Sequence, residues 1–240
     1  MTTYIDQHKI ARITGLSLIV MAVAAGFSYG YVLEGLVVKD DPIATFHNIA
    51  TAKRLFNFGV YSWVLIVFLD VLVAKGFFEL YRSTNKNLSM ATACLRIGYV
   101  CLLVFAIWNL IVVQMEINGT EHSITVDILQ AQRTIMLINS FYGMWSAGLI
   151  VFGVHLLLLA LLILQSKSAP KILIYLLFTA AISYLLIHSC YLIAPKYNDQ
   201  IAKAEMFLSL PMAVGELALA VWLLWKGRKA RLNIFNTRMS

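Results

Sequence analysis

Six long apolar segments, separated by short polar breaks, constrain this chain more than any other feature of its sequence. Each is long enough to cross the roughly 30 Å hydrocarbon core of a bilayer as an α-helix, which takes about 20 residues. The predicted spans are residues 10–36, 54–81, 89–115, 133–165, 171–194 and 204–226. The sequence therefore predicts an all-α integral membrane bundle of six transmembrane helices, with residues 1–240 forming a single membrane domain.

The composition supports a membrane bundle and disfavours several other classes of protein. Only 13% of the 240 residues are charged, whereas soluble domains carry about 25%. Six spans and their short loops use nearly the whole chain, so we expect no soluble catalytic or nucleic-acid-binding domain. We expect membrane lipid around the helices, and a small-molecule ligand is a possible further partner. The composition says nothing about the oligomeric state.

The basic residues are distributed unequally between the two ends of the spans. Thirteen of the nineteen Lys and Arg fall on the side that carries both termini. Cytoplasmic loops of membrane proteins carry such an excess, so we predict that both termini are cytoplasmic. The same asymmetry accounts for the net charge of +7 without a nucleic-acid partner.

Two segments on the predicted outer side extend beyond what a bilayer requires. Asp41 is a favourable N-cap and Pro42 a favourable first helical residue, so a helix from Pro42 could lead into the second span without a break. A helix from Thr125 could likewise extend the fourth span to about 40 residues, or about 60 Å. We therefore predict short helical extensions on the outer face.

Four ionisable side chains lie well inside the predicted spans: Asp70, Arg96, His155 and Glu216. At 1.5 Å of rise per residue, Arg96 lies roughly 10 Å from the inner end of its span and the other three roughly 15–18 Å. Because a charge near the bilayer centre costs roughly 2.5–3.5 kcal/mol, these groups are expected to pair, face inward or serve a function.

The similar depths predict two pairs, Asp70 with Arg96 and His155 with Glu216. The first pair is favoured because a short loop makes the second and third helices antiparallel neighbours. One interpretation is a satisfied polar core that fixes helix register. The other is a pocket that handles a proton or a small ligand, since ionisable groups inside membranes often mark such pathways.

Other residues within or near the spans supply additional predictions. Pro211 removes a backbone hydrogen bond, so Pro211 and Gly215 predict a helix kink close to Glu216. Gly26 and Gly30 lie on a stripe of small residues that predicts close helix packing. Arg54, near the outer end of the second span, is a further candidate for ligand or proton handling.

The sequence lacks the spacing that common cofactors and metals require. By helix rise, His155 and His188 lie about 15 and 27 Å from the inner face, so they cannot share one haem. No HExxH zinc motif, GxSxG motif or phosphate-binding P-loop occurs. We therefore expect no cofactor and no metal, and the pattern assigns no catalytic residue.

Four sequence segments resemble the pattern of a bacterial membrane family catalogued as domain-of-unknown-function family 4386. They are RLFNFGVYS at 54–62, LDVLVAKGFFELYR at 69–82, VFGVHLLLLALLILQS at 151–166 and LPMAVGELALAVWLLWKG at 210–227. The resemblance implies a multi-pass protein of the bacterial inner membrane and no particular reaction. These segments contain Arg54, Asp70, His155 and Glu216, whereas Arg96 lies outside them.

The favoured function is binding or transport of a small ligand or proton through the intramembrane polar residues. One alternative is an intramembrane enzyme that uses the same residues on a lipid or quinone-like substrate. Another is a structural or partner-binding membrane subunit. The sequence does not decide among them, although the missing catalytic motifs weigh against the enzyme.

Overall fold

The computed structural model describes residues 2–119 and 128–238, and the side chains of residues 7–119 and 128–227. These residues form helices and turns, with no strand among them. The elements are α1 (Thr2–Ala25), a π-helical stretch (Gly26–Leu33), α2 (Glu34–Leu36), α3 (Pro42–Thr51), α4 (Lys53–Tyr81), α5 (Lys86–Gly119), α6 (Ile128–Ser166), α7 (Lys171–Ile193), a 3-10 turn (Pro195–Tyr197) and α8 (Asn198–Arg238).

Six helical segments of the described chain are long and apolar enough to cross a membrane, which confirms the predicted all-α, six-span class. They are Gln7–Leu36, Lys53–Tyr81, Lys86–Gly119, Ile128–Ser166, Lys171–Ile193 and Pro195–Gly227. All but the fifth extend beyond their predicted bounds, the second by one residue only. Hydropathy marks where a span leaves the bilayer, but good helix formers such as Lys and Glu continue the helix past that point. The cytoplasmic placement of both termini stays a prediction.

The predicted extension after the first span is present as α3. Asp41 caps it, since its Oδ1 accepts a hydrogen bond of 2.9 Å from the Ala44 amide. The helix does not run unbroken into the second span, because Ala52 leaves helical geometry (φ −104°, ψ 37°) between α3 and α4. For the fourth span, α6 reaches 39 residues, and Thr125 lies outside the described residues.

The chain divides into two compact units. Unit 1 comprises residues 1–20, 69–100 and 147–240, and unit 2 comprises residues 21–68 and 101–146. Buried polar and charged side chains of unit 1 include Asp70, Arg96 and His155. Unit 2 instead contains a buried aromatic core that includes Trp63 and Phe141.

Helices α7 and α8 approach each other closely at Gly215. A Cβ atom there would lie 2.8 Å from the Ala180 Cβ and 2.9 Å from the Leu176 carbonyl oxygen. Gly215 therefore has a packing role, while the kink predicted at Pro211, which lies inside α8, stays a prediction. The packing predicted at Gly26 and Gly30 is wrong within the described chain, because a Cβ at either would meet no described atom within 4 Å.

This contrast predicts opposite outcomes for one substitution at two glycines. Gly215→Ala should lower the free energy of unfolding by about 1–3 kcal/mol, because overpacking forces α7 and α8 apart. Gly26→Ala, the matched control, should leave it unchanged or raise it by up to about 1 kcal/mol, because no packing is disturbed and alanine is the better helix former. Unfolding in mixed detergent micelles measures both values, and equal effects would contradict the close α7–α8 approach.

Candidate functional site

The candidate site lies in unit 1 and begins with the short connection between α4 and α5. Asn85 caps α5, since its Oδ1 accepts a hydrogen bond of 3.0 Å from the Leu88 amide. The Ser89 hydroxyl then donates a hydrogen bond of 3.1 Å to the Phe78 carbonyl and ties the two helices together. This tight antiparallel hairpin brings Asp70 on α4 next to Arg96 on α5.

Asp70 and Arg96 form a buried ion pair, which confirms the predicted pairing. Arg96 Nε donates a hydrogen bond of 2.8 Å to Asp70 Oδ1, and Arg96 Nη2 lies 2.5 Å from the same oxygen. The two side chains are 0% and 1% exposed, so each charge depends on the other for compensation. Asp70 Oδ2 is also buried and has no hydrogen-bond partner among the described residues.

His155 bonds to Arg96 of this pair and does not pair with Glu216. The predicted pairing of His155 with Glu216 is therefore wrong. Its Nε2 lies 3.1 Å from Arg96 Nη1, and its Nδ1 lies 2.8 Å from the Thr92 carbonyl oxygen. A carbonyl only accepts, so Nδ1 carries the hydrogen and Nε2 accepts from Arg96. In this arrangement the imidazole is neutral, and both of its nitrogens are already occupied.

Two phenylalanine rings enclose the Arg96 guanidinium. Its Cζ lies 5.8 Å from the centroid of the Phe77 ring and 5.2 Å from that of Phe152. Such cation–π contacts contribute about 2 kcal/mol when they are desolvated. Phe152 also packs edge-to-face against Tyr184, with ring centroids 5.3 Å apart, and so connects the Arg96 network to α7.

Glu216 has a partner that the sequence interpretation missed. The Tyr184 hydroxyl on α7 donates a hydrogen bond of 2.6 Å to Glu216 Oε1 on α8. The carboxylate also interacts electrostatically with Arg96 and Asp70. Glu216 is half-buried, so the site contains an enclosed ion pair and a second carboxyl group closer to the surface of unit 1.

Tyr184 begins a row of polar aromatic side chains along one face of α7. Tyr184, His188 and Tyr191 are spaced i, i+4 and i+7, which places them on the same side of a helix. Their ring centroids are 5.9 and 6.2 Å apart in succession. The Tyr191 hydroxyl then donates a hydrogen bond of 2.7 Å to Glu205 on α8. We call Glu216, Tyr184, His188, Tyr191 and Glu205 the α7 row.

Arg54 is not brought into this site. It lies in the first turn of α4, sixteen residues before Asp70, in unit 2, and its side chain is exposed. Among the residues that the structure describes, no group of three or more His, Cys, Asp or Glu side chains is arranged to hold a metal ion.

Comparison with known proteins agrees with the resemblance found in the sequence. A family model described as "Domain of unknown function (DUF4386)" matches residues 13–227. The chain belongs to the DUF4386 family. The match includes Asp70, Arg96, His155 and Glu216. An uncharacterized protein of Archaeoglobus fulgidus is 31% identical over 173 residues, which cover 71% of this DUF4386 chain and 86% of that relative. No solved structure matches the chain.

Proposed function

We propose that this DUF4386 protein is a transporter that moves protons, with Glu216 as the group that binds and releases them inside the membrane. We place it in the cytoplasmic membrane of a bacterium. The α7 row is the observation that carries the proposal. Ionisable residues inside membranes commonly form proton relays, and every member of this row can bind or release a proton.

The length of the α7 row suits a path from an end of the bundle to its interior. Glu205 lies near the start of α8, and Glu216 lies eleven residues further along it, about 16 Å at the rise of an α-helix. Tyr184, His188 and Tyr191 lie between the two carboxyl groups. Side-chain rotation and water complete the steps between the stacked rings.

The network of Asp70, Arg96 and His155 has a supporting role in this proposal. His155 is neutral and uses both ring nitrogens, so it holds Arg96 in place rather than carrying a proton. The Asp70 carboxylate compensates the Arg96 charge, so this network does not itself carry the proton.

Proton flux into proteoliposomes tests the proposal. Purified protein is reconstituted into liposomes that enclose a pH-sensitive dye. A pH gradient is then imposed across the liposome membrane, and valinomycin with potassium balances the charge that the protons carry. The wild-type protein should dissipate the gradient faster than protein-free liposomes. Glu216→Gln should slow this flux at least tenfold, because the amide cannot bind and release a proton. His188→Phe, which keeps an aromatic ring, should also slow it.

A matched carboxylate outside the α7 row provides the control. Glu79 near the end of α4 pairs with Arg82 at 3.1 Å, and Glu79→Gln should leave the flux at the wild-type rate. Wild-type flux equal to that of protein-free liposomes would disprove proton transport. A wild-type rate in Glu216→Gln would show that Glu216 is not the proton-binding group.

A further inference from the structure

Unit 2 contains a second cluster of side chains that the proposed function does not use. The π-helical stretch, α4 and α6 together supply five aromatic residues to it. We call these residues the unit-2 aromatic cluster: Tyr29, Trp63, Phe141, Tyr142 and Trp145. On α6, Phe141 and Trp145 are spaced i and i+4 and so share a face of the helix, and Tyr142 lies on the adjoining side.

The rings of this cluster are in direct contact around Trp145. Its ring centroid lies 5.0 Å from that of Trp63, 5.1 Å from that of Tyr29 and 5.8 Å from that of Phe141. Tyr142 contacts both Tyr29 and Phe141, at 6.3 and 5.5 Å. These separations fall in the range of favourable aromatic pairs.

Two polar groups in this cluster lack the partner that their burial requires. The indole Nε1 atoms of Trp63 and Trp145 are buried, and neither has a hydrogen-bond partner within the described part of the chain. Trp63 is only 1% exposed, so bulk solvent does not solvate its N–H group. Leaving a buried donor unsatisfied is energetically unfavourable, and here two such donors lie on adjacent rings.

The neighbouring ring faces compensate for this cost only in part. Trp63 packs edge-to-face with Phe141 and Trp145, at interplanar angles of 63° and 71°. A contact between an N–H group and a ring face is weaker than a hydrogen bond to a carbonyl oxygen. A ligand with suitable acceptors would therefore gain hydrogen bonds that the protein itself does not make.

The cluster is accessible from the surface of unit 2. Tyr29, Tyr142 and Trp145 are half-buried, in contrast to Trp63. Short π-helical segments are often found at functional sites, and Tyr29 lies in this one.

We infer that the unit-2 aromatic cluster binds a planar, membrane-soluble ligand whose carbonyl oxygens accept hydrogen bonds from the Trp63 and Trp145 indoles. A quinone ring has this chemistry, with flat apolar faces for stacking and carbonyl oxygens at its edge. Because both Nε1 atoms are buried, the ligand reaches them by displacing the half-buried rings of Tyr29 and Trp145. This inference rests on unit 2 alone and does not depend on proton transport through the α7 row.

Calorimetric titration of the full-length protein in detergent tests the inference with two probes of nearly the same shape. The first is 2,3-dimethyl-1,4-naphthoquinone, whose methyl groups block addition of cysteine thiols to the ring. The second is 2,3-dimethylnaphthalene, which lacks the oxygens. The quinone should bind saturably and at least tenfold more tightly than the hydrocarbon. Trp63→Phe and Trp145→Phe should each weaken quinone binding at least tenfold and leave hydrocarbon binding unchanged.

Trp108 provides the matched control, because it is 61% exposed on α5 and lies outside the cluster. Trp108→Phe should bind the quinone as the wild type does. Absence of saturable quinone binding would overturn the inference, as would equal affinity for the two probes. Wild-type affinity in both Trp63→Phe and Trp145→Phe would also overturn it. Thermal melting of each variant identifies any that fails to fold, and the remaining variant then gives the result.

Discussion

Asp70→Asn should lower the free energy of unfolding by about 3–5 kcal/mol, the range for breaking a buried ion pair by removing one partner. The substitution is nearly isosteric, so the loss comes from charge rather than from packing. It leaves the Arg96 guanidinium buried between Phe77 and Phe152 without the carboxylate that directly contacts it. The amide oxygen introduced at position 70 and His155 Nε2 can still accept hydrogen bonds from Arg96, but both groups are neutral and do not balance its charge.

The double variant Asp70→Asn with Arg96→Gln should be more stable than Asp70→Asn alone. Removing both charges eliminates the uncompensated guanidinium, and two amides can still hydrogen-bond to each other. Unfolding of the wild type, both single variants and the double variant in mixed micelles completes the thermodynamic cycle. Additive losses would mean that the two residues do not interact and would contradict the ion pair.

Two replacements of His155 should distinguish how much its hydrogen bonds and how much its packing volume contribute to the free energy of unfolding. His155→Leu removes the acceptor for Arg96 Nη1 and the donor to the Thr92 carbonyl, so it should cost about 2–4 kcal/mol as two buried groups lose their partners. His155→Gln should cost about half as much, because its amide oxygen can accept from Arg96 while its NH₂ group donates to Thr92. The same unfolding titration measures both variants.

The comparison between Leu and Gln distinguishes two explanations of this position. If the two variants lose the same free energy, the hydrogen bonds contribute little and the His155 ring matters through packing with Phe77 and Phe152. A smaller loss for Leu than for Gln would contradict the hydrogen-bonded network outright. A protonated His155 would also conflict with the structure, because its Nε2–H would then face Arg96 Nη1–H.

The depth of a residue in the membrane could be predicted from the sequence, and it was enough to identify one pair. Asp70 and Arg96 belong to consecutive helices joined by a short turn, so similar depth made them neighbours. Depth does not define the rotation of a helix about its axis, however. For His155 and Glu216, on helices distant in sequence, that rotation decides the partner, and the predicted pairing was wrong.

Tyr184 was missed because a search for ionisable residues passes over a hydroxyl that is neutral in isolation. The i, i+4, i+7 spacing of Tyr184, His188 and Tyr191 was visible in the sequence and would have indicated a polar face on α7. The π-helical stretch had no comparable signal. Its glycines suggested close helix packing, whereas the open space beside Gly30 depends on where the neighbouring helices lie.

The short hairpin between α4 and α5 also has a consequence for how the chain enters the membrane during synthesis. Separately, an Asp and an Arg in mid-span would each add roughly 2.5–3.5 kcal/mol to the insertion cost of its helix. Since only a tight turn separates the two helices, they can leave the translocon together as a neutral unit. His155, on a helix made later, adds its hydrogen bonds to a pair that already exists.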